Sequence, residues 1–203
     1  MDGGRRGPGS AGPPGLRQRL LAPVELLFTL LAGSRPVPGS HGTFLVACHR
    51  HHGAPVQLPD GTAVRRGEMV AEIHFWNRRL AAREHGAAGG ITWRFARDFR
   101  ADLGALARAL EGGQLHGAVV AVYGASPLAP AAARFGFFIR PLPPGLRRSL
   151  LTAWQQGVRR AFRPRALPPD VGAASAELWM SRAELRRRYV SRPERHGAGP
   201  AEG

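Results

Sequence analysis

Apolar and polar residues alternate with a period of two in the first half of the chain, which predicts β-strands. Residues 43–48, TFLVAC, form a short run of β-branched and aromatic residues, and PDG at 59–61 is a turn signal. Along 70–75, VAEIHF, every second side chain would point to the same face of a strand. The pattern therefore predicts an N-terminal β-meander in which Glu72 and His74 share one face.

A period near 3.6 replaces this alternation in residues 92–111, which predicts an amphipathic helix. Thr92 is placed to cap its start, and Gly112 follows its end. The charged residues between the apolar ones, Asp98 and Asp102 among them, are predicted to lie off the buried stripe. The stripe itself consists of Ala96, Phe99, Leu103, Leu106 and Leu110.

The rest of the chain predicts further helices and strands in alternation. The apolar run at 118–124 is typical of a strand that is buried on both faces. Together these elements predict one α+β domain, with a mixed-sheet α/β arrangement as the alternative. The other predicted elements are a short helix at 127–136, a strand at 137–143, a long helix at 145–162, and a strand followed by a helix capped at Ser181 within 176–189.

The ends of the chain differ in composition from its middle. Residues 1–16 and 193–203 are rich in Gly and Pro and poor in large apolar residues, which predicts disordered tails around a domain at 17–192. Residues 20–33 predict an amphipathic helix that packs on the domain or lies on a membrane surface; a signal peptide is the alternative. The single cysteine, Cys48, excludes an intramolecular disulfide.

Positive charge dominates the chain, with 29 basic residues against 14 acidic ones and a net charge of +15. All the basic residues are arginines, which is typical of a GC-rich coding bias. The excess leaves nucleic acid, an anionic membrane, an acidic polymer or a merely solvated surface open as interpretations. The candidate anion-binding residues are Arg147, Arg148, Arg159 and Arg160, which lie off the buried stripe of the helix at 145–162.

Asn77 is the only asparagine in the chain. It stands where the strand ending near residue 76 should give way to a helix, so a helix cap is one interpretation. Asp or Ser caps nearly as well, whereas only Asn combines a donor and an acceptor in a short side chain. A specific hydrogen-bonding role is the second interpretation.

The most promising polar cluster surrounds this junction and consists of Asp60, Gly61, Glu72, His74 and Asn77. A histidine can act as acid or base near neutral pH, and a carboxylate can orient it. No serine or cysteine stands in a nucleophile-elbow context, and no phosphate-binding glycine loop is present. The cluster therefore suits recognition or structural bonding better than catalysis, and a hydrolase that uses His74 with Asp60 or Glu72 is the alternative.

His49 and His51 have a spacing that could place both imidazoles on one side of an extended strand. Such a pair could bind a transition metal if Asp60, His74 or His116 supplied a third ligand. A basic surface turn is the simpler interpretation, so we predict neither a metal nor another cofactor.

The order of these motifs resembles the YkoP-like family of bacterial domains over roughly residues 20–190. Asp60, Gly61, Gly67, His74 and Asn77 match the family pattern, while Glu68 replaces its usual aspartate. In some relatives, a domain that resembles this one is fused to a polysaccharide deacetylase-type catalytic region. The catalytic motifs of such regions are absent here. The resemblance implies a non-catalytic accessory or binding module, with a cell-wall glycan or a deacetylase-type protein as partner.

Two other functions remain as alternatives, namely a basic protein that binds RNA and one that binds an anionic membrane. RNA binding has weak support in ARFGFFI at 133–139, which partly resembles an RNA-recognition strand. We expect a cytoplasmic protein, with peripheral attachment to the membrane as the alternative. Nucleic acid is the less favoured partner.

Overall fold

The protein forms a mixed β-sheet with helices on one face and a β-hairpin on the other. The computed structural model describes residues 33–75, 93–126, 129–142 and 175–190, together with positions 145 and 149. The strands are β1 (Arg35–Pro36), β2 (Phe44–Arg50), β3 (Val56–Gln57), β4 (Ala63–Val64), β5 (Met69–Phe75), β6 (Val119–Ser126), β7 (Phe138–Pro141) and β8 (Ala176–Ser181). The helices are α1 (Trp93–Glu111), α2 (Ala129–Ala132) and α3 (Arg182–Tyr189), with a 3-10 turn at Ala133–Phe135.

The main sheet has the strand order β1-β2-β5-β6-β8-β7. Adjacent strands of this sheet are antiparallel, except for β5 and β6. These two strands are parallel and are connected through α1. The predicted α+β domain with a mixed sheet is therefore confirmed. The strands predicted as a meander divide between two sheets, because β3 and β4 form their own two-stranded sheet and β2 pairs directly with β5.

The larger core lies between the main sheet and α1. Phe99, Leu103, Leu106 and Leu110 of α1 are buried, as the helical stripe predicts. They meet the side chains of β2, β5, β6 and β8 that point to this face. Those side chains include Phe44, Val46, Ala71, Ile73, Val122, Leu178 and Met180.

Asp98 and Asp102 contradict the helical pattern, because both are buried. The Asp102 carboxylate accepts hydrogen bonds from the backbone N–H of His41 at 2.5 Å, and from the N–H and the hydroxyl of Thr43, each at 2.7 Å. Thus α1 fixes the segment that leads into β2. The prediction was wrong because partners about 60 residues away in sequence leave no periodic signal.

The opposite face of the main sheet is covered by the β3–β4 hairpin. Val56, Leu58 and Val64 of the hairpin segment belong to a second core with Val70, Ala121, Tyr123 and Trp179 of the main sheet. The hairpin reverses through the predicted PDG turn, where Gly61 has φ +88° and its N–H donates to the Leu58 carbonyl at 3.0 Å. A positive φ of this kind favours glycine.

The second half of the chain follows the sequence pattern closely where the structure describes it. Strand β6 is central and largely buried, and α2 with the 3-10 turn precedes β7. Ser181 caps α3, because its hydroxyl oxygen accepts from the Glu184 N–H at 2.9 Å.

Two predicted helices fall almost entirely outside the described residues. Of the helix predicted at 20–33 only position 33 is described, and of the helix at 145–162 only positions 145 and 149. The described part of the chain contains no helix long and apolar enough to span a lipid bilayer.

Candidate functional site

The alternation of β5 places Glu72 and His74 on the face of the main sheet that the hairpin partly covers. Their neighbours Ala71, Ile73 and Phe75 point to the α1 core, so the predicted division of faces is confirmed. Strands β2 and β6, which flank β5, contribute further polar side chains to the same face. We define the Glu72 cluster as Glu72 and His74 from β5, His49 from β2 and Tyr123 from β6.

Glu72 is the hydrogen-bonding centre of this cluster. Its Oε2 atom lies 2.9 Å from Nε2 of His49 and 3.7 Å from Nε2 of His74. Tyr123, which is paired with Glu72 across the β5–β6 register, also hydrogen bonds to the carboxylate. One carboxylate therefore joins side chains from three adjacent strands.

Both ring nitrogens of His49 face acceptors. Nε2 approaches the Glu72 carboxylate, and Nδ1 lies 2.9 Å from the backbone carbonyl oxygen of Arg50. A neutral imidazole can donate from only one nitrogen, whereas an imidazolium donates from both. This arrangement favours the charged form, and the hydrogen bond to Glu72 raises the pKa of His49 despite the opposing effect of burial.

The pKa values of His74 and Glu72 are both lowered from the ordinary values of their groups. Burial lowers the pKa of His74, and the attraction of Glu72 does not fully offset that effect. Burial raises the pKa of Glu72, but the His49 hydrogen bond and the His74 charge outweigh it, so the net pKa is lowered. At neutral pH, Glu72 is therefore an anion beside a neutral His74.

The cluster is only partly buried. The side chains of His49, Glu72 and His74 retain 35%, 23% and 25% of their exposure. Parts of one carboxylate and two imidazoles are thus exposed on one patch of sheet, whereas the Tyr123 side chain and the Nε2 atom of His74 are buried. Cys48, next to His49 in β2, packs on the α1 side of the sheet and contributes no thiol to this patch.

Asp60 and Gly61 lie in the hairpin turn, and Asp60 bonds outside the Glu72 cluster. The Asp60 carboxylate is hydrogen bonded to the hydroxyl of Ser181, and it accepts from the N–H of Thr62 at 3.1 Å. Burial raises the pKa of Asp60, but these hydrogen bonds lower it further than burial raises it. Asp60 therefore ties the hairpin to the residue that caps α3.

The histidines considered as metal ligands have separate partners. His51 is buried with its ring edge-on to Trp179 at 5.4 Å between centroids, and its Nε2 lies 3.0 Å from the Ala54 carbonyl oxygen. His116 is exposed and accepts from the Ala118 N–H at 3.3 Å. Within the described residues, no group of three or more His, Cys, Asp or Glu side chains is arranged to hold a metal ion.

Five of the predicted site residues lie outside the described part of the chain: Asn77, Arg147, Arg148, Arg159 and Arg160. Their roles therefore stay predictions. His74 precedes Asn77 by three residues, so the strand that would lead to Asn77 also carries the Glu72 cluster.

Sequence reasoning missed the pairing of His49 with Glu72 and the contribution of Tyr123. A partial signal was present, because in an extended strand His49 points away from the face of Val46 and Cys48, just as Glu72 and His74 alternate with apolar residues in β5. Only the register of the two strands, with His49 opposite Val70, could reveal that His49 meets Glu72.

The protein is an α+β domain with a partly exposed polar cluster on one face of its sheet. A family model described as the YkoP domain matches residues 16–189. The match spans most of the chain, which therefore belongs to the YkoP domain family. Comparisons with curated proteins and with solved structures give no significant match.

Proposed function

We propose that this protein is a binding module that recognises a hydroxyl-rich saccharide at the Glu72 cluster. The observation that carries the proposal is the Glu72 carboxylate, which is partly exposed and held 2.9 Å from one imidazole and 3.7 Å from another. A carboxylate fixed by neighbouring side chains is ready to accept hydrogen bonds from sugar hydroxyls without reorganisation.

The group of the cluster that a ligand can bond to is the partly exposed Glu72 carboxylate, which accepts hydrogen bonds. Both ring nitrogens of His49 already face acceptors within the protein, so His49 holds the carboxylate in place and does not itself donate to a ligand. A saccharide presents several adjacent hydroxyls, which can donate to the two carboxylate oxygens together. This chain resembles domains that are fused to polysaccharide deacetylase-type regions. A cell-wall glycan is therefore the first ligand to test.

The direct test is a titration of the isotope-labelled protein with oligomers of N-acetylglucosamine and of glucosamine, followed by NMR. We expect the ring signals of His49 and His74 to shift in a saturable manner. Glu72→Gln should weaken binding roughly tenfold or more, because a hydrogen bond to a charged group contributes about 1.5–3 kcal/mol. Glu111→Gln is the matched control, since Glu111 ends α1 on the other side of the sheet.

A second candidate function has one specific observation in its favour. His74 and Glu72 lie within 3.7 Å of each other, and their pKa values are perturbed, as in many acid–base pairs. An enzyme of this kind would release product from one of the same saccharides, and His74→Gln would abolish that release. Saturable binding without product over a long incubation supports the binding module, whereas product that depends on His74 would replace it.

A further inference from the structure

Three arginines from two helices converge where α3 crosses α1, on the side of the main sheet opposite the hairpin. Arg100 and Arg108 belong to α1, Arg188 belongs to α3, and all three are exposed. They surround Tyr189, whose hydroxyl donates to the Phe135 carbonyl at 2.8 Å. We define these residues as the α1–α3 arginine cluster: Arg100, Arg108 and Arg188.

The contacts of each guanidinium place the three close together. The Arg100 Cζ atom lies 5.9 Å from the centroid of the Phe135 ring. Arg188 crosses the next residue, since a Cβ atom built on Gly136 would lie 2.6 Å from Arg188 Nε. A Cβ atom on Gly104 would lie 3.4 Å from Arg108 Nη1 and 3.8 Å from the Tyr189 carbonyl oxygen.

Acidic side chains neutralise little of this charge. Glu184 pairs with Arg188 and also with Arg187. Within the described part of the chain, no carboxylate lies within ion-pair distance of Arg100 or Arg108. Gly104 and Gly136 leave room for the side chains of Arg108 and Arg188 close to the backbone. The cluster keeps an excess of positive charge.

Trp93 extends this surface along α1. Trp93 lies four residues before Arg97 and seven before Arg100, so the three side chains share one face of the helix. The same face includes Arg108, about 22 Å from Trp93 along the helix axis. The indole is 75% exposed, and the Arg97 guanidinium lies 5.2 Å from its ring centroid. The face therefore combines guanidinium groups for phosphates with an aromatic ring on which a base can stack.

We propose that this face binds single-stranded nucleic acid, with the α1–α3 arginine cluster on the phosphates and Trp93 on a base. The surface lies on the opposite side of the sheet from the Glu72 cluster, so the inference goes beyond the proposed function and does not depend on it. A lipid surface fits less well, because stable attachment also requires buried apolar area. The exposed large apolar residues of the described chain are only Trp93, Phe138 and Val190.

The test is fluorescence anisotropy with a labelled oligothymidine of about 16 nucleotides across a salt series. Arg100→Gln with Arg108→Gln should weaken binding at least tenfold at about 0.1 M salt. It should also reduce the slope of log K against log salt by about 1.4, since each phosphate contact on a single strand contributes about 0.7. Trp93→Ala should weaken binding roughly tenfold by removing one stacked base.

The control is Arg65→Gln with Arg66→Gln, which removes the same charge from exposed residues between β4 and β5 on the hairpin side. We expect this pair to change the affinity by less than about twofold. Equal losses from both pairs of substitutions would overturn the inference, since they would show that only net charge matters. Binding to anionic phosphatidylglycerol vesicles without binding to the oligonucleotide would also overturn it, in favour of a membrane surface.

Discussion

The Nε2 atom of His49 lies 2.9 Å from Oε2 of Glu72, although the two residues are 23 positions apart in sequence. The bond runs diagonally across the β2–β5 pair, because His49 is opposite Val70 and Glu72 is opposite Ala47. It makes Glu72 the shared partner of two histidines that lie in different environments. The electrostatics of the site therefore depend on one carboxylate.

The two histidines should titrate on opposite sides of the ordinary histidine value of about 6.5. The Glu72 hydrogen bond raises the pKa of His49, whereas burial lowers that of His74. In Glu72→Gln both values should fall, because Glu72 raises the pKa of each histidine. NMR titration of the ring protons measures this directly. Two histidines that titrate together and are unaffected by Glu72→Gln would contradict the geometry of the cluster.

The His49–Glu72 bond should also make stability depend on pH in a predictable direction. Because the folded-state pKa of His49 is raised, its stabilising contribution is fully present below about pH 6.5 and is lost as pH rises through the folded-state pKa. The stabilisation from the His49–Glu72 bond is also lost at low pH, as the pH falls through the lowered pKa of Glu72 and the carboxylate is protonated. Chemical unfolding should show a larger deficit for His49→Gln at about pH 6 than at about pH 8.5, though under about 1 kcal/mol because the pair is partly exposed. An equal deficit at both pH values would contradict this.

Asp102 should be among the most important polar residues for stability. Asp102→Ala leaves the buried N–H and hydroxyl of Thr43 and the partly buried N–H of His41 without their acceptor, which should cost about 3 kcal/mol of unfolding free energy. Glu111→Gln on the same helix breaks a partly exposed ion pair with Arg182 and should cost less than about 1 kcal/mol. Denaturant unfolding of both variants checks the difference, and similar costs would contradict the assigned role.

Gly124 sets how closely β6 approaches β5. A Cβ atom at this position would lie 3.0 Å from the Ile73 carbonyl oxygen and 3.1 Å from Ile73 Cγ1. Gly124→Ala should therefore cost about 1–3 kcal/mol, because the backbone oxygen can shift little. Gly117→Ala is the control, since a Cβ atom there meets nothing within 4 Å. Thermal unfolding compares the two, and a neutral Gly124→Ala would mean that the strands can separate without penalty.

Most of the fold could be predicted because its elements carry strong periodic signals. The helix with Phe99, Leu103 and Leu106, the buried strand β6 and the cap at Ser181 follow directly from the pattern. The strand order could not be predicted in the same way. Whether the PDG hairpin joins the main sheet or covers it depends on which apolar faces meet, and both arrangements bury Val56 and Val64.

The candidate site could be predicted only in part. The shared face of Glu72 and His74 follows from alternation within one strand, and it is confirmed. The sequence groups Asp60 with them, whereas the turn directs its carboxylate to Ser181, which lies 121 residues later. For His49 the sequence favours a basic surface turn over a metal-binding role, and neither interpretation includes its hydrogen bond to Glu72. Contacts between strands depend on register, which a single sequence does not carry.

The most direct test of the central claim is calorimetric titration of an N-acetylglucosamine oligomer into the wild-type protein, Glu72→Gln and Glu111→Gln. If the Glu72 cluster is a saccharide recognition site, the wild-type protein and Glu111→Gln should bind with affinities within about twofold of each other. Glu72→Gln should then bind roughly tenfold more weakly or not at all. Equal binding by all three proteins, or no binding by the wild-type protein, would contradict the assignment of the Glu72 cluster as a saccharide site.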